Sequence, residues 1–294
     1  MSGEVSDLGS SLGAHVFLWA SASTTEEYDK AIGAAARLGL DFLQVSLSSL
    51  GMDLGHVRAS LEAAGLACIT GLAVPPDVWS RRREGALRAY LSTALESTAA
   101  LRCGALSGAL YTPMGERSDA GERTAELRLL RDDLKWAAQQ AAPLGIRLGL
   151  EPLNRYETSL INTVAQLLEF IDDIDEPNVF VQLDTFHMNI EERDLGDAIR
   201  ATGERLGYMQ LAESDRGVPG DGHVPWEDVF AGLRDIDYRG PLAFESFTTA
   251  NAVLARAACL WRDVVGSPDS FVTRGREQMR ASAHKVDYRF PGTT

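Results

Sequence analysis

The chain alternates short apolar runs with longer segments in which apolar residues recur every three or four positions. Short runs bounded by polar residues predict buried strands, and the longer periodic segments predict amphipathic helices. The eight predicted strands are 14–20, 41–47, 66–72, 105–111, 146–150, 179–183, 206–211 and 242–244. The eight predicted helices are 24–38, 53–64, 81–101, 120–142, 164–174, 194–202, 226–235 and 251–265. Strand and helix therefore alternate strictly.

Such alternation predicts βαβ units and a parallel sheet. Eight units in 294 residues favour a single α/β domain, a (β/α)₈ TIM barrel over about 14–265 within 1–294. The C-terminal extension, 266–294, is expected to carry one more helix at 274–285 and an extended end. The alternative, an open doubly wound sheet, lacks its glycine-rich fingerprint, because Leu12-Gly13-Ala14-His15 holds a single glycine.

Composition narrows the class of protein and its partners. With 45% apolar and 24% charged residues the chain resembles an ordinary globular protein. The net charge of −14 disfavours nucleic acid, since phosphate binding needs clustered Lys and Arg. No apolar run approaches the roughly 18 residues of a membrane span, and Met1–Ser11 lacks the pattern of a signal peptide. We expect a cytoplasmic protein with no membrane partner.

The chain has three cysteines, Cys68, Cys103 and Cys259. Their number is odd, they are far apart in sequence, and apolar residues surround them. This arrangement disfavours a disulfide framework or a cysteine metal site. We expect buried free thiols.

Four consecutive predicted strands end on an oxygen-bearing side chain: Glu151, Asp184, Gln210 and Glu245. The carboxyl ends of the strands of a parallel barrel share one mouth, where barrel enzymes keep their chemistry. Three carboxylates and an amide oxygen suit hard divalent cations such as Mg²⁺ and Mn²⁺ better than zinc. The alternative is that each residue only caps the helix after its strand, but four in succession favour a shared site.

Several motifs in the second half of the chain resemble those of the ketose 3-epimerases. These form the D-tagatose, D-psicose (allulose) and L-ribulose 3-epimerase group of the xylose-isomerase-like TIM barrels. The resemblance is dense over Glu151–Arg262 and looser before it, where Leu106–Tyr111 is similar to the family's fourth strand. The motifs are Glu151-Pro-Leu-Asn-Arg-Tyr-Glu157, Leu183-Asp-Thr-Phe-His-Met-Asn-Ile-Glu-Glu192, Glu213-Ser-Asp-Arg-Gly-Val-Pro-Gly220, Pro225-Trp226 and Phe244-Glu245.

The resemblance implies a metal-dependent epimerase of free ketoses. Glu151, Asp184 and Glu245 would be metal ligands, with Gln210 at the fourth ligand position. The cofactor would be Mn²⁺ or Mg²⁺, with Co²⁺ as a further candidate. A metal that chelates the ketose acidifies the C3 proton and stabilises an enediolate. Glu151 and Glu245 would abstract and return this proton on opposite faces of the carbon.

The resemblance also implies substrate contacts around the metal. Glu157, His187 and Arg216 would contact substrate hydroxyls. His15 and Trp19 lie in the first half of the chain, which usually sets substrate specificity in such barrels. The alternatives are that His187 is only a loop residue, that Arg216 is exposed, and that Trp19 simply packs in the barrel mouth.

The sequence departs from the epimerase pattern at several of these positions. Gln210 and Tyr208 stand where the epimerases have histidines, and Gln44 stands where related barrels often have Glu. A glutamine at the fourth ligand position resembles hydroxypyruvate isomerases of the same superfamily. Metal binding is therefore still expected, while the sugar stays open. No cluster of Lys or Arg is expected near the mouth apart from Arg155 and Arg216, and this absence favours an unphosphorylated substrate.

Several rival functions share this sequence pattern. A keto-sugar or hydroxypyruvate-type isomerase, or a 3-keto-glycoside epimerase or lyase, would use the same metal and base. A non-catalytic binding subunit is disfavoured by the intact Glu pair. A DNA-repair nuclease would need further His and Asp ligands and a basic face. As partners we expect a small sugar and further copies of the chain, in a dimer or tetramer.

Overall fold

Eight parallel strands form a closed barrel in the order of the sequence. The computed structural model describes residues 8–21, 24–47, 52–119, 121–249, 255–256 and 258–292. Because the first strand pairs with both the second and the eighth, the open-sheet alternative is wrong and the (β/α)₈ prediction is confirmed. The strands are β1 (Leu12–His15), β2 (Phe42–Ser46), β3 (Ala67–Ala73), β4 (Ala105–Ala109), β5 (Arg147–Leu150), β6 (Val179–Asp184), β7 (Leu206–Leu211) and β8 (Leu242–Phe244).

The helices follow the strands around the outside of the barrel. The described helices are α1 (Thr25–Arg37), α2 (Leu54–Ala64), α3 (Pro76–Ser80), α4 (Ala86–Ala100), α5 (Arg123–Ala141), α6 (Val164–Ile174), α7 (Thr185–Glu191), α8 (Leu195–Thr202), α9 (Trp226–Asp235) and α10 (Pro268–Lys285). Several begin at a polar cap, as for α1, where Thr24 and Glu27 form a capping box. None that the structure describes is long and apolar enough to cross a membrane.

The structure corrects two of the predicted elements here and adds two short helices. The first strand ends at His15, and Val16–Leu18 is a 3₁₀ turn. The helix predicted at 81–101 begins only at Ala86, because Gly85 has a φ of 87° that an α-helix cannot hold. The sequence analysis did not predict α3, or α7, which begins directly after β6.

The helix predicted at 251–265 is wrong over its second part. Residues 258–265 are not helical, and 251–254 and 257 lie outside the described residues. Cys259 has a φ of 54° in the left-handed region. Asp263 Oδ1 accepts hydrogen bonds from the backbone N–H groups of Val265 and Gly266 at 3.0 Å. Such side-chain bonds compete with helix formation.

Alternate residues of the strands point into the barrel and fill it in layers. One layer holds Phe42, Ile69, Ala105, Phe180, Tyr208 and Ala243, each fully buried. Phe180 fits there because Gly149 lies beside its ring, where an added Cβ would come within 2.5 Å of Phe180 Cζ. The next inward positions on β2, β6 and β7 carry Gln44, Gln182 and Gln210, so the barrel turns polar toward its mouth.

The C-terminal extension packs on the barrel. Its helix α10 begins at Pro268, six residues before the predicted start, because Ser267 caps it. Phe230 of α9 stacks on Tyr288 with ring centroids 5.5 Å apart and meets Phe290 at 5.9 Å. The end predicted to be extended is thus anchored by Phe290, and its last residues, 293–294, lie outside the described residues.

The prediction of three buried free thiols is wrong. Cys68 on β3 and Cys103 just before β4 form a disulfide, with Cα atoms 5.6 Å apart. The strands β3 and β4 pair side by side, which brings together two cysteines that are 35 positions apart. Cys259 is free, but it is exposed.

Candidate active site

Four oxygen-bearing side chains meet at the carboxyl ends of β5 to β8. Asp184 ends β6 and lies opposite Gln210 of β7 in the strand register. Glu151 directly follows β5, and Glu245 directly follows β8. All four are buried, between 0% and 8% exposed. The convergence that the sequence predicted is thus present in the structure.

The guanidinium of Arg216 lies between two of the carboxylates. Its Nη1 donates to Asp184 Oδ2 at 2.8 Å and to Glu245 Oε2 in a shorter contact. The guanidinium carbon lies 4.0 Å from the ring centroid of Phe186 and 4.9 Å from that of Phe247. Arg216 is 3% exposed, so the prediction that it reaches the site holds and the exposed-loop alternative is wrong.

Glu213 fixes the loop that carries Arg216. Its carboxylate accepts hydrogen bonds from the backbone N–H groups of Ser214, Gly220 and Val224, and from Trp226 Nε1 at 3.0 Å. Burial raises the pKa of Glu213, but these bonds outweigh it and lower the pKa below its usual value. The loop therefore holds Arg216 in a left-handed conformation with φ of 65°.

Negative charge accumulates in this buried cluster. Burial, together with the charges of Glu245 and Asp184, raises the pKa of Glu151 well above its usual range. Burial raises the pKa of Asp184 to about 6, although Arg216 opposes the shift. Three carboxylates thus face one guanidinium within the described cluster, an arrangement that favours a further cation because isolated buried charges are costly.

His187 is held in one tautomer by Asn154. Its Nδ1 accepts the backbone N–H of Asn154 at 3.2 Å and lies 2.9 Å from Asn154 Nδ2. Burial lowers the pKa of His187 to about 3, so the ring is neutral at pH 7. A neutral ring whose Nδ1 accepts carries its proton on Nε2. The Nε2 atom lies 3.8 Å from both Glu151 Oε1 and Asp184 Oδ2, beyond hydrogen-bond distance, and 3.4 Å from Arg216 Nη2, so it faces the cluster.

A chain of buried amides supports Gln210 from inside the barrel. Gln182 Nε2 donates to Gln210 Oε1 at 2.7 Å. Gln210 Nε2 donates to Glu245 Oε1 at 2.7 Å and to Gln44 Oε1 at 2.8 Å. The hydroxyl of Tyr208 donates to the same Gln44 oxygen at 2.7 Å. The two departures from the epimerase pattern, Gln210 and Tyr208, thus belong to one network with Gln44.

The structure places two further predicted substrate contacts near the cluster. Glu157 Oε1 accepts from Asn154 Nδ2 at 2.9 Å, while its Oε2 is buried without a described hydrogen-bond partner. Burial raises the pKa of Glu157. His15 stacks on Phe17 with centroids 4.3 Å apart, and burial and the charge of Arg216 lower its pKa to about 3.

Trp19 is the predicted site residue that the structure ties elsewhere. Its Nε1–H donates to Asp269 Oδ1 of α10 at 3.0 Å, and Arg37 bonds the other oxygen of that carboxylate at 2.6 Å. The indole is 7% exposed and belongs to the apolar core. The described hydrogen bonds of Trp19 therefore agree with the packing alternative and link the segment after β1 to the C-terminal extension.

The sequence analysis did not predict that Gln182, Asn154 and Glu213 belong to the site. Gln182 had a usable signal, because it is the polar residue at an inward position two before Asp184 in an apolar strand. Asp184 both caps a helix and belongs to the shared site, which the sequence analysis treated as alternatives. Its Oδ1 accepts from Phe186 N–H at 2.9 Å and caps α7, while Oδ2 faces the site.

The donor set fits a hard divalent cation. Glu151, Asp184 and His187 bring one ligand atom each within 4.8 Å of one another. The carboxylates offer lone pairs, whereas the Nε2 of His187 carries a proton in the tautomer described above and offers none. A positively charged nitrogen of Arg216 already lies between Asp184 and Glu245, which shows that the cluster accommodates a cation.

Comparisons with known proteins agree with the fold. A profile of the xylose isomerase-like TIM barrel family matches residues 26–264. The chain is 33% identical to an L-ribulose 3-epimerase of Methylomonas sp. over 272 residues, which are 90% of this chain and 95% of that protein. It is 33% identical to a D-psicose 3-epimerase of Agrobacterium fabrum over 248 residues, covering 81% and 86%.

A solved structure shows the same similarity in three dimensions. The crystal structure of a D-allulose 3-epimerase from Methylomonas sp. in complex with D-allulose superposes with a TM-score of 0.88. The two sequences are 32% identical, and the match covers 92% of this chain and 96% of the other. Both the identity and the coverage are high enough to compare chemistry as well as fold.

Proposed function

Because the chain belongs to the ketose 3-epimerase group of the xylose isomerase-like TIM barrel family, we propose that it is an isomerase that epimerises C3 of a free ketose. The observation that carries the proposal is the buried cluster of Glu151, Asp184 and Glu245 at the barrel mouth. Burial raises the pKa values of Glu151 and Asp184, and such shifts are typical of acid–base and metal sites.

We propose that Glu151, Asp184, Gln210 and Glu245 hold Mn²⁺ or Mg²⁺, with Co²⁺ as a weaker candidate. Support comes from the all-oxygen donor set and from the excess negative charge of the cluster. A bound divalent cation would polarise the ketose carbonyl and stabilise the negative charge that develops on removal of the C3 proton. His187 is left out of the ligand set because its Nε2 carries a proton.

Glu151 and Glu245 are the proposed proton carriers. They follow β5 and β8, three strands apart in the barrel order, and so approach a substrate in the mouth from different sides. One takes the proton from C3, and the other returns a proton to the opposite face. The raised pKa of Glu151 supports this role, since a raised pKa makes a carboxylate a stronger base.

Substrate hydroxyls are proposed to meet His187, Glu157 and Arg216. The Nε2–H of His187 would donate a hydrogen bond to a substrate hydroxyl. Glu157 Oε2, which has no described partner, would accept a hydrogen bond from another hydroxyl. Arg216 supplies further donors through its guanidinium. His15 is a donor as well, since its Nδ1 accepts Phe17 N–H at 3.1 Å and leaves the proton on Nε2.

Trp19 is kept as a weaker substrate contact, through its ring face alone, because its N–H is engaged by Asp269. The guanidinium of Arg216 is buried and paired, and Arg155 is paired with Glu191. These pairings support an unphosphorylated sugar.

The test is solvent proton exchange at C3. Metal-free protein with added Mn²⁺ is incubated with a panel of ketoses in deuterated water, and deuterium at C3 and the epimeric product are followed by NMR. We expect both for at least one free ketose, and neither with Glu151→Gln. Exchange at C1 with aldose formation would instead assign an isomerase. Exchange only in 3-keto glycosides would assign the related epimerase or lyase, and no exchange in any sugar would favour a binding subunit.

Three properties of the whole protein remain proposals of ours. We propose one domain over 1–294, a homo-oligomer that is a dimer or tetramer, and a cytoplasmic location. Mass measurement by light scattering during gel filtration tests the assembly. Fractionation of the cells that make the protein tests the location.

A further inference from the structure

Gln210 turns the N–H end of its amide, and not the oxygen, toward the carboxylates. Its Nε2 donates to Glu245 Oε1 at 2.7 Å, while its Oε1 faces Gln182 Nε2 at 2.7 Å. An amide binds a cation through its oxygen. If Gln210 is a ligand, as the proposed function holds, its amide has to rotate by about half a turn when a cation binds.

After that rotation the N–H₂ group of Gln210 would point at Gln182. Gln182 is fully buried, and a buried N–H group without an acceptor is among the costlier defects of a folded protein. Gln182 can provide the acceptor by rotating as well. Its Oε1 has no described hydrogen-bond partner, so turning this amide breaks no described bond other than the one to Gln210. The turn leaves the N–H₂ group of Gln182 where Oε1 now lies, but it avoids two N–H₂ groups facing each other across the bond that joins the two amides.

We propose that Gln182 is a positioning residue whose amide reverses together with that of Gln210. In one orientation Gln182 donates to Gln210 Oε1, and in the other it accepts from Gln210 Nε2, so that the Gln210 oxygen joins the ligand set. The strand geometry supports this pairing. Gln182 lies two residues before Asp184 on β6, and Asp184 lies opposite Gln210. A residue with a fixed donor or a fixed acceptor would favour a single orientation.

The other neighbours of Gln210 stabilise the orientation seen here. Gln44 Oε1 accepts from both Gln210 Nε2 and the hydroxyl of Tyr208. Burial raises the pKa of Tyr208 well above its usual value, so the hydroxyl stays a donor. The donation from Tyr208 holds the Gln44 oxygen toward Gln210, which favours the N–H end at that position. Gln182 is the side of the network that is free to follow the rotation.

The direct test observes the side-chain amides. Protein labelled with ¹⁵N at glutamine is titrated with the diamagnetic ion Mg²⁺, while calorimetry confirms that Mg²⁺ binds. The N–H₂ signals of Gln182 and Gln210 are assigned by their loss in Gln182→Met and Gln210→Met. We expect both pairs of signals to shift with one saturation curve. Gln139, whose amide donates to Glu176 on the outer helices, is an internal control that should not move.

A stationary Gln182 signal at saturating Mg²⁺ would overturn the proposal and leave the epimerase proposal standing, since C3 exchange is measured separately. An absence of Mg²⁺ binding would overturn both.

Discussion

Replacing Arg216 by methionine tests whether its guanidinium lies where a metal ion binds. Nη1 of Arg216 contacts both Asp184 and Glu245, two of the proposed ligands. Methionine replaces the arginine side chain as far as Nε and can still pack beside Phe186 and Phe247, but it carries no charge. The variant therefore removes the cation and largely preserves the packing.

The metal-free variant should be markedly less stable. Removing one partner of a buried ion pair costs about 3–5 kcal/mol. Unfolding entropy is about 2.1 cal/mol/K per residue, so over 294 residues this cost lowers Tm by roughly 5–8 °C. The loss of stability is smaller at low pH, because Asp184 takes up a proton there. Its pKa is already about 6, and it would hold the proton more tightly without the arginine.

Binding of Mn²⁺ should become tighter in the same variant. A cation entering between Asp184 and Glu245 no longer has to displace the guanidinium from their oxygens. We expect at least a tenfold gain in affinity, about 1.4 kcal/mol, which is less than the lost ion-pair energy because protons taken up by the carboxylates must leave. The KM for the ketose should rise, since the variant also removes a proposed substrate contact.

Calorimetric titration of Mn²⁺ into metal-free protein and thermal unfolding with and without Mn²⁺ provide the measurements. Arg262→Met is the matched control, because Arg262 Nη2 bonds Asp215 Oδ2 at 2.7 Å with 72% and 48% of the two side chains exposed. An exposed pair contributes about 0–1 kcal/mol, so Tm should move by less than roughly 2 °C. If Arg216→Met left Tm unchanged, or weakened Mn²⁺ binding, the placement of Arg216 at the cation site would be refuted.

Four further predictions concern the same barrel. Glu151→Gln and Glu245→Gln should each lower turnover by about 10²–10⁴-fold with the fold retained, and full C3 exchange in either variant would contradict the two-carboxylate mechanism. Gln210→His should raise Co²⁺ affinity relative to Mn²⁺, and an unchanged ratio of dissociation constants in paired titrations would exclude Gln210 as a ligand. The pKa of Asp184 is raised from 3.8 to about 6, so its contribution to the stability of the metal-free protein is fully present below pH 3.8 and is lost as pH rises through about 6. Mn²⁺ affinity should rise over the same window as the proton leaves, and a flat calorimetric profile between pH 5 and 7 would oppose this. Cys103→Ser should lower the free energy of unfolding in denaturant by about 4 kcal/mol, from the loop of 35 positions that the disulfide closes, and an unchanged urea midpoint would show that the bridge does not stabilise the protein.

The repeating pattern of the sequence was sufficient for the fold class. Strands buried on both faces read as continuous apolar runs, and their alternation with amphipathic helices leaves few topologies besides a barrel. For two strands and two helices the predicted first and last residues are those of the structure, for example Leu206–Leu211 and Trp226–Asp235. Errors arose where one residue overrides the local pattern, as Gly85 and Asp263 do.

The positions of the strand-end oxygens were also readable from the sequence. Parallel strands in a closed barrel present all their carboxyl ends at one mouth, so Glu151, Asp184, Gln210 and Glu245 had to come together once the barrel was inferred. The alternation of side chains along β6 even marked Gln182 as an inward polar residue. Its partner was not readable, because Gln210 comes from another strand.

Only the tertiary structure decided how these groups are paired. Three contacts depend on loops and on the register of distant segments. They are the bond from Arg216 to Asp184, the bond from Asn154 that fixes the tautomer of His187, and the bond from Trp19 to Asp269. The disulfide between Cys68 and Cys103 depends likewise on β3 lying beside β4. The conformational preference of a residue acts over only a few neighbours in sequence. These contacts instead depend on which strand ends are neighbours in space. The sequence determines that arrangement only by determining the closed barrel.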